Sequence, residues 1–464
     1  MPRKPNIVLI LADDLGFGDL SALNGGLSST PAIDGLMKDG VTLSQHYAAS
    51  PVCNPSRAAL LTGRYPHRTG SIDTLEWRGL DRLALREKTL ADLLRPAGYA
   101  TGLVGKWHLG AFDPRYSPTR RGFDEAVCFR GGMHDYYHWR LERNDAVMRA
   151  DGRYLTDVWT QEACDFIQRH ASEPFFLHLT YNAPHNPFQV PEDEAKPFRD
   201  KGQFTWAVST LYGMVHRMDS GIARVLGLLD RLGLRDDTIV IFASDNGPQF
   251  GGAGEMCTTR FNCQYRGAKA SVYEGGVRVP AVVRWGGGGL AGGRQVDEMV
   301  HFCDWLPTIL AMAGVEAPAG GLPLDGGNVL PALRGEKGKT QTRRCWQWNR
   351  YTPVISSNAA IRDGDWKLIR PAIRAAHLVP DIEWLGVCMY NYEYFLEHGL
   401  VRDPEPAREI PPAPPAELYN LAADPLEQTN VADQYPDISH RLSLELESWF
   451  ESVERDRRSI DDMW

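Results

Sequence analysis

A series of short, strongly apolar runs separated by turn-forming residues constrains the fold of this chain more than any other feature. Strands that are buried on both faces need such runs, because neither of their faces can be polar. The runs are NIVLILA (6–12), YATGLVG (99–105), PFFLHLTY (174–181), TIVIFAS (238–244) and VRVPAVVRW (277–285). The sequence therefore predicts a large, mostly parallel sheet that is covered on both faces.

Helical patterns lie between these runs. The clearest has apolar residues three and four positions apart, which places one apolar stripe along a long helix. Its members are Leu211, Val215, Met218, Ile222, Val225 and Leu229. Residues 301–314 predict another helix, which ends at Gly314. Strands that alternate with helices indicate an α/β fold in which helices sandwich the sheet.

The sequence changes character near residue 335, where the charged segment RGEKGKTQTRR interrupts this alternation. Beyond it we predict strands within 359–370 and 417–422, an extended proline-rich loop at 404–416 and a helix at 439–455. The sequence therefore predicts a main domain over residues 1–339 and a smaller α+β subdomain, with a short antiparallel sheet, over residues 340–464.

The charge balance excludes two classes of partner. The 464 residues include 50 Lys and Arg against 59 Asp and Glu, a net charge of −9, so no overall positive field attracts nucleic acid or an anionic membrane. An anionic substrate must be captured by a local cluster of cations. The run IVLILA (7–12) is too short to cross a bilayer and lacks a cleavage pattern, so no export signal is visible. The compartment stays open: cytoplasmic as written, periplasmic or secreted if a leader precedes the chain.

Eight cysteines are scattered along the chain without the spacing of a zinc site or of a disulfide framework. Cys257 and Cys263 are the only close pair, which leaves a disulfide between them open. Cys53 stands apart, because it lies among prolines and arginines in PVCNPSRAALLTGRYPHRTG (51–70). No disulfide or zinc partner is close to it in the sequence, so Cys53 needs another explanation.

Polar residues follow four of the predicted strands. They are Asp13 and Asp14, Lys106 and His108, His185, and Asp245 and Asn246. Because ligands in open α/β sheets bind beyond the carboxyl ends of the strands, we expect these side chains to share one site. Carboxylate and amide oxygens, without a Cys/His zinc pattern, favour a hard cation such as Ca²⁺ or Mg²⁺.

Each of these groups also has a purely structural interpretation. An Asp pair after a strand is common in turns, and SDNG (244–247) is a good turn sequence. His178, inside an apolar run, is best interpreted as a core histidine, and His185 between prolines could belong to a rigid loop. Their joint position at strand ends favours the functional interpretation.

Six motifs occur in a fixed order along the chain. They are NIVLILADDLGFGD (6–19), CNPSRAALLTGR (53–64), GKWHLG (105–110), APHNPF (183–188), SDNG (244–247) and YRGAKASVYEGGVRVPAVV (265–283). In this order they resemble the type I sulfatases, an alkaline-phosphatase-like family whose signature begins Cys-x-Pro-Ser-Arg and continues toward Leu-Thr-Gly-Arg. ELYNLAADPLEQTNVA (417–432) extends the resemblance to the C-terminal part. The resemblance covers essentially the whole chain and implies that the protein is a sulfatase.

This resemblance implies a role for Cys53. In sulfatases the motif cysteine is oxidised to formylglycine, an aldehyde that hydrates to a geminal diol, by a formylglycine-generating enzyme that reads the unfolded chain. By similarity, Pro55 and Arg57 belong to the recognised sequence, and Arg57 later helps to hold the diol. The chain departs from the family pattern at Asn54, where Ser or Thr is frequent, and at Ala268, where Gly is usual.

The resemblance also implies a ligand set and catalytic roles. By similarity, one Ca²⁺ (or Mg²⁺) is bound by Asp13, Asp14, Asp245, Asn246 and an oxygen of the modified Cys53. Lys106 and Lys269 match lysines that hold sulfate oxygens. His185 matches the group that protonates the leaving oxygen, together with Lys269, and His108 matches the base that deprotonates the second hydroxyl of the diol. That hydroxyl provides a route for sulfate release that a serine or an unmodified cysteine would lack.

The alcohol that carries the sulfate is less constrained. GGMHDYYHWR (131–140) suits stacking on sugar faces and hydrogen bonding to hydroxyls, although a partly buried aromatic loop is the structural alternative. The predicted substrate-binding residues are His134, Asp135, Tyr137, Trp139 and Arg140. WQWNRY (346–351) raises the same choice in the C-terminal subdomain. Because no membrane-facing apolar hairpin is visible, we expect a sulfated carbohydrate rather than a lipid or steroid.

Two alternatives stay open at this point. The same metal and lysines would accept phosphate or phosphonate monoesters, which relatives in the same superfamily hydrolyse. A chain whose Cys53 remained a thiol would instead bind metal and sulfated glycans without turning them over.

Overall fold

The apolar runs form the centre of the fold, a ten-stranded sheet. The computed structural model describes residues 4–252, 255–317, 320–336, 340–380 and 388–461. In chain order the strands are β1 (Asn6–Ala12), β2 (Val41–Leu43), β3 (His46–Tyr47), β4 (Ala100–Lys106), β5 (Glu125–Phe129), β6 (Arg140–Arg143), β7 (Ala146–Arg149), β8 (Phe175–Thr180), β9 (Thr238–Ser244), β10 (Gly251–Gly252), β11 (Glu255–Met256), β12 (Ala281–Arg284), β13 (Arg294–Val296), β14 (Val300–His301), β15 (Arg343–Gln347), β16 (Ala359–Asp363), β17 (Trp366–Arg370) and β18 (Glu417–Asn420).

The α-helices lie on both faces of this sheet and at the C-terminus. They are α1 (Ser21–Asn24), α2 (Pro31–Asp39), α3 (Cys53–Thr62), α4 (Pro66–Thr69), α5 (Leu90–Leu94), α6 (Leu155–Arg169), α7 (Glu192–Arg199), α8 (Trp206–Arg231), α9 (Glu274–Val277), α10 (Phe302–Ala313), α11 (Leu330–Leu333), α12 (Arg374–His377), α13 (Cys388–His398) and α14 (Pro436–Arg458).

The large sheet has the strand order β13-β2-β12-β9-β1-β8-β4-β5-β6-β7. Its five central strands, from β9 to β5 in that order, run parallel. Antiparallel pairs occur toward the edges, between β12 and β9 on one side and between β5, β6 and β7 on the other. The prediction of a mostly parallel sheet between helices is confirmed.

Strand β1 shows why the central strands are apolar at every position. Ile7, Leu9 and Leu11 pack in one core with α3, α5 and α10. Val8 and Ile10 pack in a second core with α2, α6 and α8. Because both faces are removed from water, each buried side chain contributes about 1.5–3 kcal/mol to the stability of the sheet.

Both helices predicted from periodicity are present. The apolar stripe from Leu211 to Leu229 lies on α8, and its members are fully buried in the second core. Helix α10 ends at Gly314, whose φ of 64° is the left-handed conformation that glycine adopts most easily. None of the described helices is both long enough and apolar enough to cross a membrane.

The C-terminal part contains an antiparallel sheet in the order β15-β16-β17-β18. Helix α14 packs on it through Leu442 and Leu446, and the proline-rich segment 404–416 has no regular secondary structure. We predict a domain boundary between residues 339 and 340. Residue 339 lies outside the described ranges, so the division into two domains stays a prediction.

Buried charges join this second sheet to the main part of the chain. Lys367 on β17 lies 2.8 Å from a carboxylate oxygen of Glu274 and 2.8 Å from one of Glu427, and all three side chains are fully buried. Removing one partner from such a group leaves an uncompensated buried charge, which costs about 3–5 kcal/mol. The segment that begins α9 is therefore firmly attached to the C-terminal sheet.

The run at 277–285 is a strand only over β12, which is shorter than predicted. Val277 ends α9, and Pro280 has no N–H for a sheet ladder. Val277 and Val279 are apolar because they are buried in two of the cores.

Two predictions about single residues have a clear outcome in the structure. Cys257 and Cys263 are free thiols, so the disulfide left open between them is absent. His178 is buried in β8 with Nδ1 3.3 Å from the carbonyl oxygen of Leu9, as expected of a core histidine.

Candidate active site

The carboxyl ends of the central strands bring the predicted metal ligands together. Ala12 of β1 is in register with Ser244 of β9, so the residues that follow them leave the sheet side by side. These residues are Asp13, Asp14, Asp245 and Asn246, each at most 1% exposed. The amide of Asp14 donates to Asp245 Oδ1 over 3.2 Å, and Asn246 Nδ2 donates to Asp14 Oδ1 over 2.8 Å. The four residues form one buried cluster.

Cys53 is the first residue of α3 and points into this cluster. Its Sγ, a carboxylate oxygen of Asp13 and a carboxylate oxygen of Asp245 lie within 4.8 Å of one another. Arg57, one turn along the helix, donates from Nε and Nη2 to Asp245 Oδ2 over 2.9 and 2.7 Å. The start of a helix carries a partial positive charge, so this position favours a negatively charged group.

Two lysines reach the same cluster from different parts of the chain. Lys106 Nζ, at the end of β4, lies 2.6 Å from Asp13 Oδ2. Lys269 Nζ, in the loop before α9, lies 2.9 Å from Asp14 Oδ2. Carboxylates and cations are therefore paired around the start of α3.

The oxygen atoms of the cluster suit a divalent cation. Asp13 Oδ1 and Asn246 Oδ1 are buried and have no hydrogen-bond partner among the described residues. Arg57 Nη2 lies 3.7 Å from Asp13 Oδ1, too far for a hydrogen bond. A buried oxygen without a hydrogen bond is costly, and a bound cation would satisfy both atoms. The four residues Asp13, Asp14, Asp245 and Asn246 offer carboxylate and amide oxygens, which Ca²⁺ and Mg²⁺ prefer as ligands. The predicted ligand residues fit the predicted metal.

The carboxylates of the cluster have perturbed proton affinities. Burial opposes ionisation of Asp14, but Lys269 and His185 outweigh it and hold the pKa of Asp14 well below its usual range. Burial, followed by the neighbouring charge of Asp13, raises the pKa of Asp245 to about 7. Negative charge is therefore crowded at Asp13 and Asp245, and an added cation would relieve that crowding.

The thiol of Cys53 is a weak nucleophile in its unmodified form. Burial raises its pKa, and the opposing effects of Lys106 and Lys269 do not compensate. Because the thiolate is the reactive form of cysteine, a protonated and buried thiol is inert.

His108 lies just beyond β4 and is fully buried. Burial and the positive charges of Lys106 and Arg57 hold the pKa of His108 well below its usual value, so the ring is neutral. Neither ring nitrogen has a hydrogen-bond partner among the described residues, and Nε2 lies 3.5 Å from Glu76 Oε1. A neutral imidazole with a free nitrogen can accept a proton.

Glu76 is a residue that the sequence motifs did not single out. Its side chain is buried, and Oε1 accepts a hydrogen bond from the amide of Gly132 over 2.6 Å. A Cβ on Gly132 would lie 2.7 Å from this oxygen and 2.7 Å from His108 Cε1, so only glycine fits there. Glu76 follows no predicted strand and belongs to no quoted motif, so the sequence carried no signal for it.

His185 faces the cluster from the loop after β8. Its Nδ1 lies 2.6 Å from the carbonyl oxygen of Asn186, which leaves Nε2 3.7 Å from Asp14 Oδ2. Burial and the charge of Lys269 lower the pKa of His185 to about 3. The hydroxyl of Tyr136 lies 2.8 Å from the carbonyl oxygen of His185 and holds this loop in place.

Asn54, one of the two departures from the family pattern, holds the backbone of His108. Its Nδ2 donates to the carbonyl oxygens of His108 and Asp81 over 2.7 and 2.8 Å, and its Oδ1 accepts from Ser71 Oγ over 3.0 Å. His108 has a φ of 57°, which is uncommon outside glycine. The amide of Asn54 therefore stabilises an unusual conformation of His108.

A cavity of about 1000 Å³ opens beside Cys53. His108, His185 and Lys269 line it on the side of the cluster. Its other walls include Trp77 and Phe250 from the main part of the chain, and Trp348 and Arg350 from the C-terminal part. The last two belong to WQWNRY, whose possible contact with substrate the sequence raised. A cavity of this size accommodates a saccharide-sized ligand.

The five predicted substrate-binding residues do not line this cavity; from their segment, Gly132 and Met133 do. His134 and Arg140 line a separate cavity of about 170 Å³. Asp135 accepts hydrogen bonds from the amides of Tyr137 and His138, so it closes a turn within the loop.

The two remaining residues of that prediction pack within the fold. Trp139 is 2% exposed, and its Nε1 donates to the carbonyl oxygen of Arg153. The ring of Tyr137 packs against that of Tyr154 at 5.3 Å between centroids. Aromatic composition alone did not distinguish packing from ligand contact in this loop.

Two family models match the chain. The model for sulfatases matches residues 5–315. A model described as the C-terminal part of N-sulphoglucosamine sulphohydrolase matches residues 267–377.

Individual relatives are similar over most of the chain. The chain is 34% identical to steryl-sulfatase of Mus musculus, covering 73% of this chain and 66% of that protein. It is also 34% identical to N-acetylgalactosamine-6-sulfatase of Homo sapiens, covering 72% of this chain and 66% of that protein. The alignments thus span slightly less than two thirds of either relative. Among solved structures, Ps i-CgsB in complex with k-i-k-neocarrahexaose matches with a TM-score of 0.79 and 30% identity, covering 96% of this chain and 93% of that one.

Proposed function

Because the chain belongs to the sulfatase family, we propose that it hydrolyses sulfate monoesters through formylglycine derived from Cys53, with one divalent cation, Ca²⁺ or Mg²⁺, as cofactor. The observation that carries the proposal is the convergence of four oxygen-bearing ligand residues and two lysines on Cys53, beside a cavity of about 1000 Å³. A sulfate ester is an anion shielded by its own oxygens, so its attack needs local cations of this kind.

Four residues of the cluster would hold the cation. They are Asp13, Asp14, Asp245 and Asn246, joined by an oxygen of the modified residue 53. When bound, the cation would polarise that oxygen and attract the sulfate. The hydrated aldehyde would supply two hydroxyls on one carbon, one to accept the sulfuryl group and one to allow its release.

The lysines are proposed to hold the sulfate oxygens. Lys106 and Lys269 are compact ammonium donors, which suit a tetrahedral anion better than a planar guanidinium does. Each now neutralises a carboxylate of the cluster, and a bound cation would free part of that positive charge for the substrate. Arg57 would favour the ionised form of Asp245 and remain beside residue 53.

The two histidines are proposed to move protons. His108, neutral and with no hydrogen bond to either ring nitrogen within the described part of the chain, would take the proton from the second hydroxyl. His185 would give a proton to the leaving oxygen, together with Lys269. A sulfate bound beside His185 would raise its pKa from the low value of the free site, because a nearby anion favours the charged ring.

A sulfated carbohydrate is the proposed substrate. Trp77 and Trp348 line the cavity and make part of its wall apolar, which suits the apolar face of a sugar ring. One similar structure was solved with an oligosaccharide, and one relative is named for a sulfated amino sugar. Another relative is named for a steroid sulfate, so a steroid sulfate belongs among the test substrates.

The test combines a mass measurement with a substrate comparison. The peptide that contains Cys53 is expected to be lighter than its thiol form, and co-expression with a formylglycine-generating enzyme is expected to raise that fraction and the turnover together. Matched aryl sulfate, phosphate and phosphonate esters are then compared. A large preference for either phosphorus ester would overturn the sulfatase assignment, and a pure thiol that binds sulfated sugars without turnover would support the non-catalytic alternative.

A further inference from the structure

A second cavity of about 170 Å³ adjoins the proposed active site, and Met133 lies in the walls of both. We propose that this second cavity binds another anionic group of the substrate, a sulfate or a carboxylate on the sugar next to the one whose sulfate ester is cleaved. This inference rests on the proposed function and narrows its substrate class to saccharides with at least two anionic groups.

An arginine pair across two strands is the first observation behind it. Arg140 on β6 and Arg149 on β7 are directly opposite in the antiparallel register, and both line the second cavity. Like charges in directly opposite positions destabilise a sheet. An anion between the two guanidinium groups would remove that repulsion, and a planar guanidinium binds carboxylate or sulfate oxygens well.

A glutamate from α13 already stands where such an anion would bind. Glu393 Oε1 lies 3.0 Å from Arg140 Nε and 3.6 Å from Arg149 Nη2. Its side chain is 59% exposed, so it can turn into solvent at little cost when another anion arrives. We therefore interpret Glu393 as marking the position of the ligand group.

Positive charge remains in excess around the cavity. Arg130 Nε and Arg140 Nη1 lie 3.2 and 3.3 Å from the carboxylate of Glu142. Arg149 and Glu393 also face this cavity, so three arginines are balanced by only two carboxylates. The side chain of Arg149 is 72% exposed and is the one held least closely. The surplus charge is available to a ligand.

A buried histidine, His134, lies in the same wall and contacts the backbone of Arg140. His134 is 8% exposed, and its Nε2 accepts a hydrogen bond from the amide of Arg140 over 3.2 Å. The proton of the neutral ring is therefore on Nδ1, which has no hydrogen-bond partner among the described residues. Nδ1 is not exposed to the cavity, so His134 contributes to the wall that holds Arg140 in place and not to direct contact with a ligand.

The test compares three disaccharides with 4-nitrophenyl sulfate as the reference substrate. One disaccharide carries a single sulfate ester, the second adds a sulfate on the neighbouring ring, and the third adds a uronate carboxylate there. Compared with the singly sulfated disaccharide, a disaccharide with a second anion is expected to have a KM that is about three- to tenfold lower. If the disaccharides are not cleaved, the inhibition constant against 4-nitrophenyl sulfate should fall by the same factor. The arm that shows the larger effect identifies the anion.

Matched charge variants locate the effect. Arg149→Gln is expected to abolish the preference for the second anion, and Glu393→Gln to increase it because a competing carboxylate is removed. Arg153→Gln is the control, since it also removes one exposed arginine charge but lines neither cavity and pairs with Asp151.

The outcomes separate this inference from the function on which it rests. No turnover of 4-nitrophenyl sulfate by chain with modified Cys53 would overturn the proposed function and this inference together. Normal turnover, with a preference for the second anion that is absent or equally changed in Arg149→Gln and Arg153→Gln, would overturn the second anion site alone.

Discussion

The carboxylate of Glu76 lies 3.5 Å from Nε2 of His108, in the wall of the cavity beside Cys53. A carboxylate at this position orients the ring and stabilises the imidazolium that forms when His108 accepts a proton. Glu76 would therefore act as a positioning residue for the proposed base.

Replacing Glu76 with glutamine tests this relationship. The amide oxygen of Glu76→Gln can still accept the hydrogen bond from Gly132, so the fold should persist while the negative charge is lost. We expect kcat to fall by roughly ten- to a hundredfold with little change in KM. Steady-state kinetics and a thermal melt measure both quantities; a rise in KM at constant kcat would show that Glu76 contacts substrate instead.

Cys53→Ala is expected to abolish turnover of aryl sulfates while the melting temperature changes little. Alanine keeps the small, buried character of position 53 at the start of α3 but cannot be converted to an aldehyde. Cys164→Ala, which alters a buried thiol on α6, is the matched control and should leave activity unchanged. Turnover that survived in Cys53→Ala would remove residue 53 from the mechanism.

Ca²⁺ is expected to raise the melting temperature of metal-free protein, because it binds the folded state and satisfies Asp13 Oδ1 and Asn246 Oδ1. At a hundredfold excess over Kd, binding adds about 2.7 kcal/mol to the free energy of unfolding. Differential scanning fluorimetry with Ca²⁺ and with Mg²⁺ measures the shift and compares the two ions. Asp13→Asn should reduce the shift and exposed Asp151→Asn should not; equal shifts in both variants would place the ion elsewhere.

Asn54→Ala is expected to lower both stability and turnover. The substitution leaves the carbonyl oxygens of His108 and Asp81 without their buried donor, which costs about 1–3 kcal/mol for each group that water cannot reach. Chemical denaturation measures the free energy of unfolding, and kcat reports the displacement of His108. Full activity with reduced stability would show that the backbone of His108 keeps its left-handed conformation without Asn54.

Acid is expected to destabilise the fold through His46. Nδ1 of His46 donates to the carbonyl oxygen of Val279, and Nε2 accepts from Trp305 Nε1, so a second proton has no place. Burial lowers the pKa of His46 to about 3 in the folded chain, whereas the unfolded chain keeps a pKa near 6.5.

The sign of this effect follows from proton binding. Between these two pKa values the unfolded chain binds the proton and the folded chain does not, so stability is lost as pH falls below about 6.5. The loss from His46 alone is about 2 kcal/mol at pH 5 relative to pH 8. Urea unfolding at both pH values measures it, and His46→Gln should show a smaller difference than the unchanged chain. An identical difference would assign the acid sensitivity to other groups.

The sequence predicts the central sheet and the ligand cluster for one physical reason. Strands such as β1 are buried on both faces, so their residues are apolar, and the first polar residues after them, such as Asp13 and Asp245, lie together at one edge of the sheet, where we propose the metal site. The continuous apolar character of the runs and the position of the polar residues after them were enough to predict this part of the structure.

Residues outside regular strands were harder to predict. Glu76 reaches His108 from a short 3-10 helix, and Trp348 and Arg350 reach the cavity from the segment after β15, so only three-dimensional packing brings them together. In the loop 131–140 the predicted contact with substrate stays a prediction. Its aromatic residues have the composition of a sugar site, yet Trp139 is used for packing.

The ion group of Lys367, Glu274 and Glu427 has a consequence for dissecting this protein. Glu274 follows Lys269 by five residues, so the loop that contains Lys269, a proposed sulfate-binding lysine, is anchored by Lys367 from the C-terminal sheet. A fragment that ended after residue 339 would leave the buried carboxylate of Glu274 without Lys367 as its partner. It would also lack Trp348 and Arg350, which line the cavity beside Cys53. We therefore expect an intact cavity to need the C-terminal part, and we expect its exchange between relatives to change substrate preference.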